Sequence, residues 1–246
     1  MLLSWIIVFS ILGSVGAIIG AASLLSFPAQ TRKTLLPMLL SYATGTLLGA
    51  AFLGMIPKAV QQATTLSVSS TVLGGIILFF FLEKIIIWRH CHDAECEVHS
   101  SAGPLILIGD AFHNFVDGFV IAAAFLTSIP LGIAASLAVI AHEIPQEVGD
   151  FAILLESGYS RLRALIFNTL SSLATLPGAI IAYFFLGTTM EAVPYMLAIS
   201  AASFIYIAIA DLVPSMHRQI GLKSAVQQLI LILAGIATIA YFQFMH

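Results

Sequence analysis

Charge is what this sequence most lacks. Asp, Glu, Lys and Arg together make up 9% of its 246 residues, where a soluble domain carries about a quarter. So little charge excludes a water-soluble globule, a disordered chain and a nucleic-acid binder. Cysteine is almost absent too. Cys91 and Cys96 lie in one polar stretch, which is no disulfide framework. No Lys or Arg precedes Arg32, so the basic start of a cleavable signal peptide is missing and the first apolar run reads as an uncleaved membrane helix.

What fills the sequence instead is hydrophobic: 60% of the residues, with a mean hydropathy of +1.06. At about 20 residues per crossing, a chain of this length holds seven or eight spans. Its apolar runs and polar breaks predict eight, at about 2–25, 34–58, 68–89, 104–126, 131–155, 163–186, 193–214 and 223–243. The runs lack the alternation of barrel strands, and lipid offers no partner to open backbone, so the spans are helices. The expected fold is an all-α polytopic membrane protein, a single transmembrane domain over 1–246 with one polar loop at 90–103.

Orientation follows from the basic residues. Arg32 and Lys33, Lys84 and Arg89, Arg161 and Arg163, and Arg218 and Lys223 flank the connections after the first, third, fifth and seventh spans, and Lys58 alone falls on the other side. The positive-inside rule then places those four connections, including the 90–103 loop, in the cytoplasm and both termini outside, in the plasma or cell inner membrane. Gly16–Gly20 and Gly45–Gly49 form GxxxG pairs suited to close helix packing. The second and seventh spans share a weak likeness, ending in Met55-Ile56-Pro57 and Leu212-Val213-Pro214. They cross in opposite directions, as an inverted repeat would.

Ionisable residues inside a span are costly, and each is a functional candidate. In the fourth span Asp110, His113, Asn114 and Asp117 fall at i, i+3, i+4 and i+7, one helical stripe. The fifth span carries His142 and Gln146 at i and i+4, with Glu143, Glu147 and Asp150 beside them. Two imidazoles, several carboxylates and two amides on adjacent helices suit a divalent cation, whereas uncompensated buried acids cost several kcal/mol each. Pro145 leaves the Ala141 carbonyl without its helical donor, next to His142. The pattern His142-Glu143-x-x-Gln146 is one residue short of the zincin His-Glu-x-x-His, which keeps an intramembrane zinc hydrolase as an alternative.

The pair His113-Asn114-Phe115-Val116-Asp117-Gly118 and His142-Glu143-Ile144-Pro145-Gln146-Glu147-Val148-Gly149-Asp150-Phe151 resembles the signature of the ZIP (Zrt-/Irt-like) metal transporters, and the eight spans extend the resemblance over the whole chain. The resemblance implies a transporter, not an enzyme, moving a divalent transition metal into the cytoplasm through a binuclear site between the fourth and fifth helices. It places His113, Asp117, His142 and Gln146 on one metal and Asn114, Asp117, Glu143 and Gln146 around its neighbour, with Glu147 among the ligands. It also implies that a bundle carrying these helices moves against the rest. A metal-selective channel with the same site is the other reading. Zn²⁺ is the expected cargo, with Fe²⁺, Mn²⁺ and Cd²⁺ admitted by shared ligand chemistry. No prosthetic group and no nucleic acid is expected; lipid is a partner, and a homodimer is left open.

Where relatives often carry His and an acid near the end of the second helix, this chain has Gly54 and Lys58; Asp211 matches a common family acid. Asp110 and Asp150 lie on the cytoplasmic side of the core stripe and are expected to line the metal's way out. The loop residues His90, Cys91, His92, Cys96 and His99, mixed with Asp93, Glu95 and Glu97, fit no closed structural zinc site and read as a capture or release station.

Overall fold

A computed structural model describes residues 1–88, 102–217 and 221–244. The loop ligands His90, Cys91, His92, Cys96 and His99 lie outside the described residues. Eight helices are long and apolar enough to cross a membrane, as expected: α1 Leu2–Ser26, α2 Ala29–Gln62, α3 Thr65–Trp88, α4 Ala102–Thr127, α5 Ile129–Glu156, α6 Arg161–Thr188, α7 Met190–His217 and α8 Leu222–Phe244. Among the described residues there is no strand.

The helices start earlier than hydropathy alone suggests because polar residues at their ends have work to do. Arg32 and Lys33 lie inside the first turns of α2, and the Arg32 guanidinium donates to the Leu25 carbonyl at 3.1 Å. That bond satisfies a terminal carbonyl of α1 and sets a positive charge at the negative end of its dipole. Between α4 and α5 a single residue suffices: the Ser128 hydroxyl accepts from the Leu131 N–H, and Pro130 occupies the first turn, where its missing donor costs nothing. After α5, Gly158 takes φ +86° and Tyr159 N–H reaches back to the Leu154 carbonyl, a left-handed stop that glycine supplies without strain.

Three helices depart from α geometry. α2 widens to a π turn over Ala50–Met55 and α7 to another over Ile207–Leu212, each ending two residues before a proline, Pro57 or Pro214. The two spans that look alike in sequence therefore carry the same local device. α6 breaks at Leu173–Ala174, where Pro177 cannot donate to the Leu173 carbonyl; the Leu176 N–H takes it instead.

Packing sorts the helices into two groups. One contains α1, α4, α5 and α6, and the other α2, α3, α7 and α8, with α2 against α5 and α4 against α7 across the seam. Each group closes on a glycine crossing. A Cβ on Gly118 or Gly178 would strike the facing backbone carbonyl of Thr175 or Phe115, so α4 and α6 touch main chain to main chain. Gly45 and Gly235 stand in the same relation to the carbonyls of Ile232 and Tyr42, joining α2 to α8. In lipid, where apolar burial gives little drive, such close approach supplies the packing energy. Of the GxxxG pairs, Gly45–Gly49 does pack closely, but Gly16 has no atom within 4 Å of its Cβ position; Gly20 alone of that pair is crowded, by the Ile144 side chain. Large apolar side chains such as Ile77, Phe81, Phe184, Phe185, Ile230 and Leu233 stand exposed on the outer faces, as a lipid-facing surface requires.

Candidate metal centre

α4 and α5 bring their polar stripes face to face inside the first group. His113 and Asp117, one turn apart on α4, meet His142 and Glu143 of α5. The ring nitrogens of His113 and His142 stand 3.1 Å apart, Nε2 to Nε2. His142 Nε2 lies 3.2 Å from Asp117 Oδ2 and 3.5 Å from Glu143 Oε1. His113 Nε2 lies 3.8 and 3.6 Å from the same two oxygens. A tetrahedron with ligand bonds of 2.0–2.1 Å has edges of about 3.3–3.4 Å, and the five separations that involve a histidine nitrogen, 3.1–3.8 Å, fall close to that spacing.

The orientation of His142 is settled by its second nitrogen. Nδ1 is 3.0 Å from the Ala138 carbonyl, which can only accept. The neutral ring therefore carries its proton on Nδ1 and turns the Nε2 lone pair toward the other three donors. His142, Asp117 and Glu143 are buried, and His113 keeps 22% side-chain exposure.

A second cluster sits beside the first. Asp110, Glu143 and Glu147 bring one oxygen each within 4.8 Å of one another, and Glu143 belongs to both clusters. The first set mixes nitrogen and oxygen; the second is all carboxylate. Both oxygens of Asp117, Glu143 and Glu147, and one each of Asp110 and Asp150, are buried without a hydrogen-bond donor. So many carboxyl oxygens without a hydrogen-bond donor in a low-dielectric interior are a ligand set that a divalent cation can satisfy.

The amides take supporting positions. Asn114 Nδ2 donates to Asp110 Oδ1 at 3.0 Å, and Gln146 Nε2 donates to the same oxygen at 3.2 Å. Gln146 is thus turned toward Asp110, and Glu143 brings an oxygen near His113, Asp117 and His142. Asp150 stands buried near Asp110. Asp211 lies on α7, on an exposed position in its π turn, near enough to His142 for its charge to act on the ring.

α6 contributes residues that the motif pair did not single out. The Thr175 hydroxyl donates to Asn114 Oδ1 at 2.9 Å, and Asn168 Nδ2 donates to the Glu147 backbone carbonyl at 3.2 Å. Asn168, Ser172 and Thr175 fall at i, i+4 and i+7 and are all buried; that polar stripe in an apolar span was the available signal. Phe204 of α7 sets its ring 6.1 Å from His142, bringing the second helix group to the edge of the site.

These features define a class: a polytopic helical membrane protein with a cation-ligand centre buried between two of its helices. The model of the ZIP zinc transporter family matches residues 88–243, and the chain belongs to that family. It is similar to zinc transporter ZIP13 of Pongo abelii, 33% identical over 84% of this chain and 66% of the relative. Zinc transporter zipt-7.2 of Caenorhabditis elegans is 30% identical over 82% of this chain and 57% of its own length. The ZIP13 homolog of Drosophila melanogaster is 30% identical over 95% and 88%. The chain therefore spans less than two thirds of the first two relatives' length and most of the third's.

Proposed function

We propose that this chain transports a divalent transition metal, zinc first, through the centre between α4 and α5. The observation that carries the reading is the convergence of one donor atom each from His113, Asp117, His142 and Glu143 within 4.8 Å of one another in a largely buried site. Transport needs ligands that replace the ion's water shell and yet release it. The mixed nitrogen and oxygen set meets the first need. The all-oxygen set of Asp110, Glu143 and Glu147, reached through the shared Glu143, meets the second, with Asp150 leading onward. Two ions bridged by Glu143 make the site binuclear. The distribution of Lys and Arg supports inward movement, with both termini outside. The division into two helix groups supports a carrier in which α1, α4, α5 and α6 shift against the others. The names of the relatives support zinc as cargo; imidazole and carboxylate ligands also suit Fe²⁺, Mn²⁺ and Cd²⁺.

Uptake of zinc into vesicles containing the purified chain tests this reading. We expect saturable uptake, with His113→Ala and Asp117→Ala each removing most of it while the protein stays inserted, because both residues supply ligand atoms and neither supplies packing. Near-normal uptake in both variants overturns the proposed route. Flux that rises without saturation assigns the same centre to a channel.

A further inference from the structure

We propose that an anionic phospholipid occupies a two-part recess between α2, α7 and α8, at the membrane edge that carries Lys33 and Lys223. The recess has no residue in common with the metal centre. Its larger part is an open groove of about 770 Å³ whose apolar lining includes Val213, Met216, Leu222, Ala225, Leu229 and Ile232. From Leu222 to Ile232 the α8 backbone rises about 15 Å at 1.5 Å per residue. That is about half of a 30 Å hydrocarbon layer, the depth one acyl chain occupies.

The smaller part is a crevice of about 140 Å³ between the N-terminal halves of α2 and α8, where Lys33, Thr34, Ser41, Ser224, Gln227 and Gln228 gather. Gln228 lines both parts, and its Nε2 donates to the Met216 carbonyl of α7 at 3.2 Å, which ties the floor of the groove to the crevice. The recess is therefore apolar on its α7 side and polar on its α2 side, with Lys33 and Ser224 toward the membrane edge, a division that suits the tail and headgroup of a phospholipid. Charge decides which phospholipid. Among the described residues none that lines either part is acidic, while Lys33 lines the crevice and Lys223 adjoins Ser224. A negative headgroup meets these lysines, whereas a zwitterionic one sets its own cation against them. Basic pockets between spanning helices are where anionic headgroups bind.

The test compares retention of labelled phosphatidylglycerol and phosphatidylcholine by the purified full chain in mixed micelles, with zinc binding as the check that each variant is folded. The wild-type chain should prefer phosphatidylglycerol. Lys33→Gln should weaken that preference about fivefold, the effect of one lysine near a charged headgroup, and Lys33→Arg should preserve it. Ala225→Trp, which fills the groove and leaves the crevice, should lower retention of the lipid. Equal retention of the two lipids by the wild-type chain overturns the proposal, as does an unchanged preference in Lys33→Gln. Inorganic phosphate that binds the crevice as tightly as phosphatidylglycerol assigns it to a free anion, and also overturns the lipid.

Discussion

Both helix groups close on a glycine crossing, Gly118 with Gly178 in one and Gly45 with Gly235 in the other, yet among the described residues only the first buries ionisable side chains. Among the described residues every buried acid or histidine lies on α4 or α5. The buried polar residues of the second group are hydroxyls, and Ser41, Thr44 and Thr46 of α2 return theirs to carbonyls of their own helix. One group is thus a scaffold for unsatisfied carboxylates, and the other buries only neutral hydroxyls among the described residues, its Asp211 standing exposed on α7. The difference teaches that close helix packing and buried charge are separate devices. The first needs small residues at one point on each helix, and the second needs several helices to aim polar side chains at one volume.

The comparison breaks most sharply at Glu143, the carboxylate that both clusters share. Glu143→Gln should weaken zinc binding by more than about a hundredfold, beyond what loss of a supporting hydrogen bond costs a metal site. Titration of the purified protein with zinc measures it, and undiminished affinity would remove Glu143 from the ligand set. The glycine crossings give the next effect. Gly45→Ala and Gly118→Ala each press a methyl into a facing backbone, which should cost about 1–3 kcal/mol of stability. Gly118→Ala should also lower zinc affinity, because Gly118 follows Asp117, while Gly45→Ala should spare it. Thermal unfolding beside zinc titration separates the two, and equal losses of affinity would show that the groups are not independent. Thr175→Val should be the smallest change. It keeps the side chain's shape and removes the hydroxyl that holds Asn114, so zinc affinity should fall about tenfold with stability little altered; unchanged affinity would leave α6 with a packing role only.

Much of the architecture is legible in the sequence. Eight apolar runs became eight helices because a bilayer imposes its thickness on each crossing and leaves the backbone no other way to satisfy itself. The stripes of α4 and α5 were readable because helical spacing alone puts Asp110, His113, Asn114 and Asp117 on one side. Thr175 and Asn168 were harder to single out, since a hydroxyl or amide in an apolar span usually bonds within its own helix and only its neighbour reveals another use.

The sequence by itself determined where the chain crosses the membrane, which two helices carry ionisable side chains, and where prolines interrupt the hydrogen-bond ladder. Those are local properties, set by residue type and by the 3.6-residue period. Tertiary structure decided how each interruption is repaired. Pro37 and Pro145 ride inside α-helix, Pro57 and Pro214 follow π turns, and Pro177 follows a break. It also decided that Glu143 stands beside the two histidines while Gln146 turns to Asp110, and that α6 braces the cluster. Each of these depends on the distance and rotation between helices, which close contacts such as Gly118 against α6 establish and which no residue's spacing along its own helix contains.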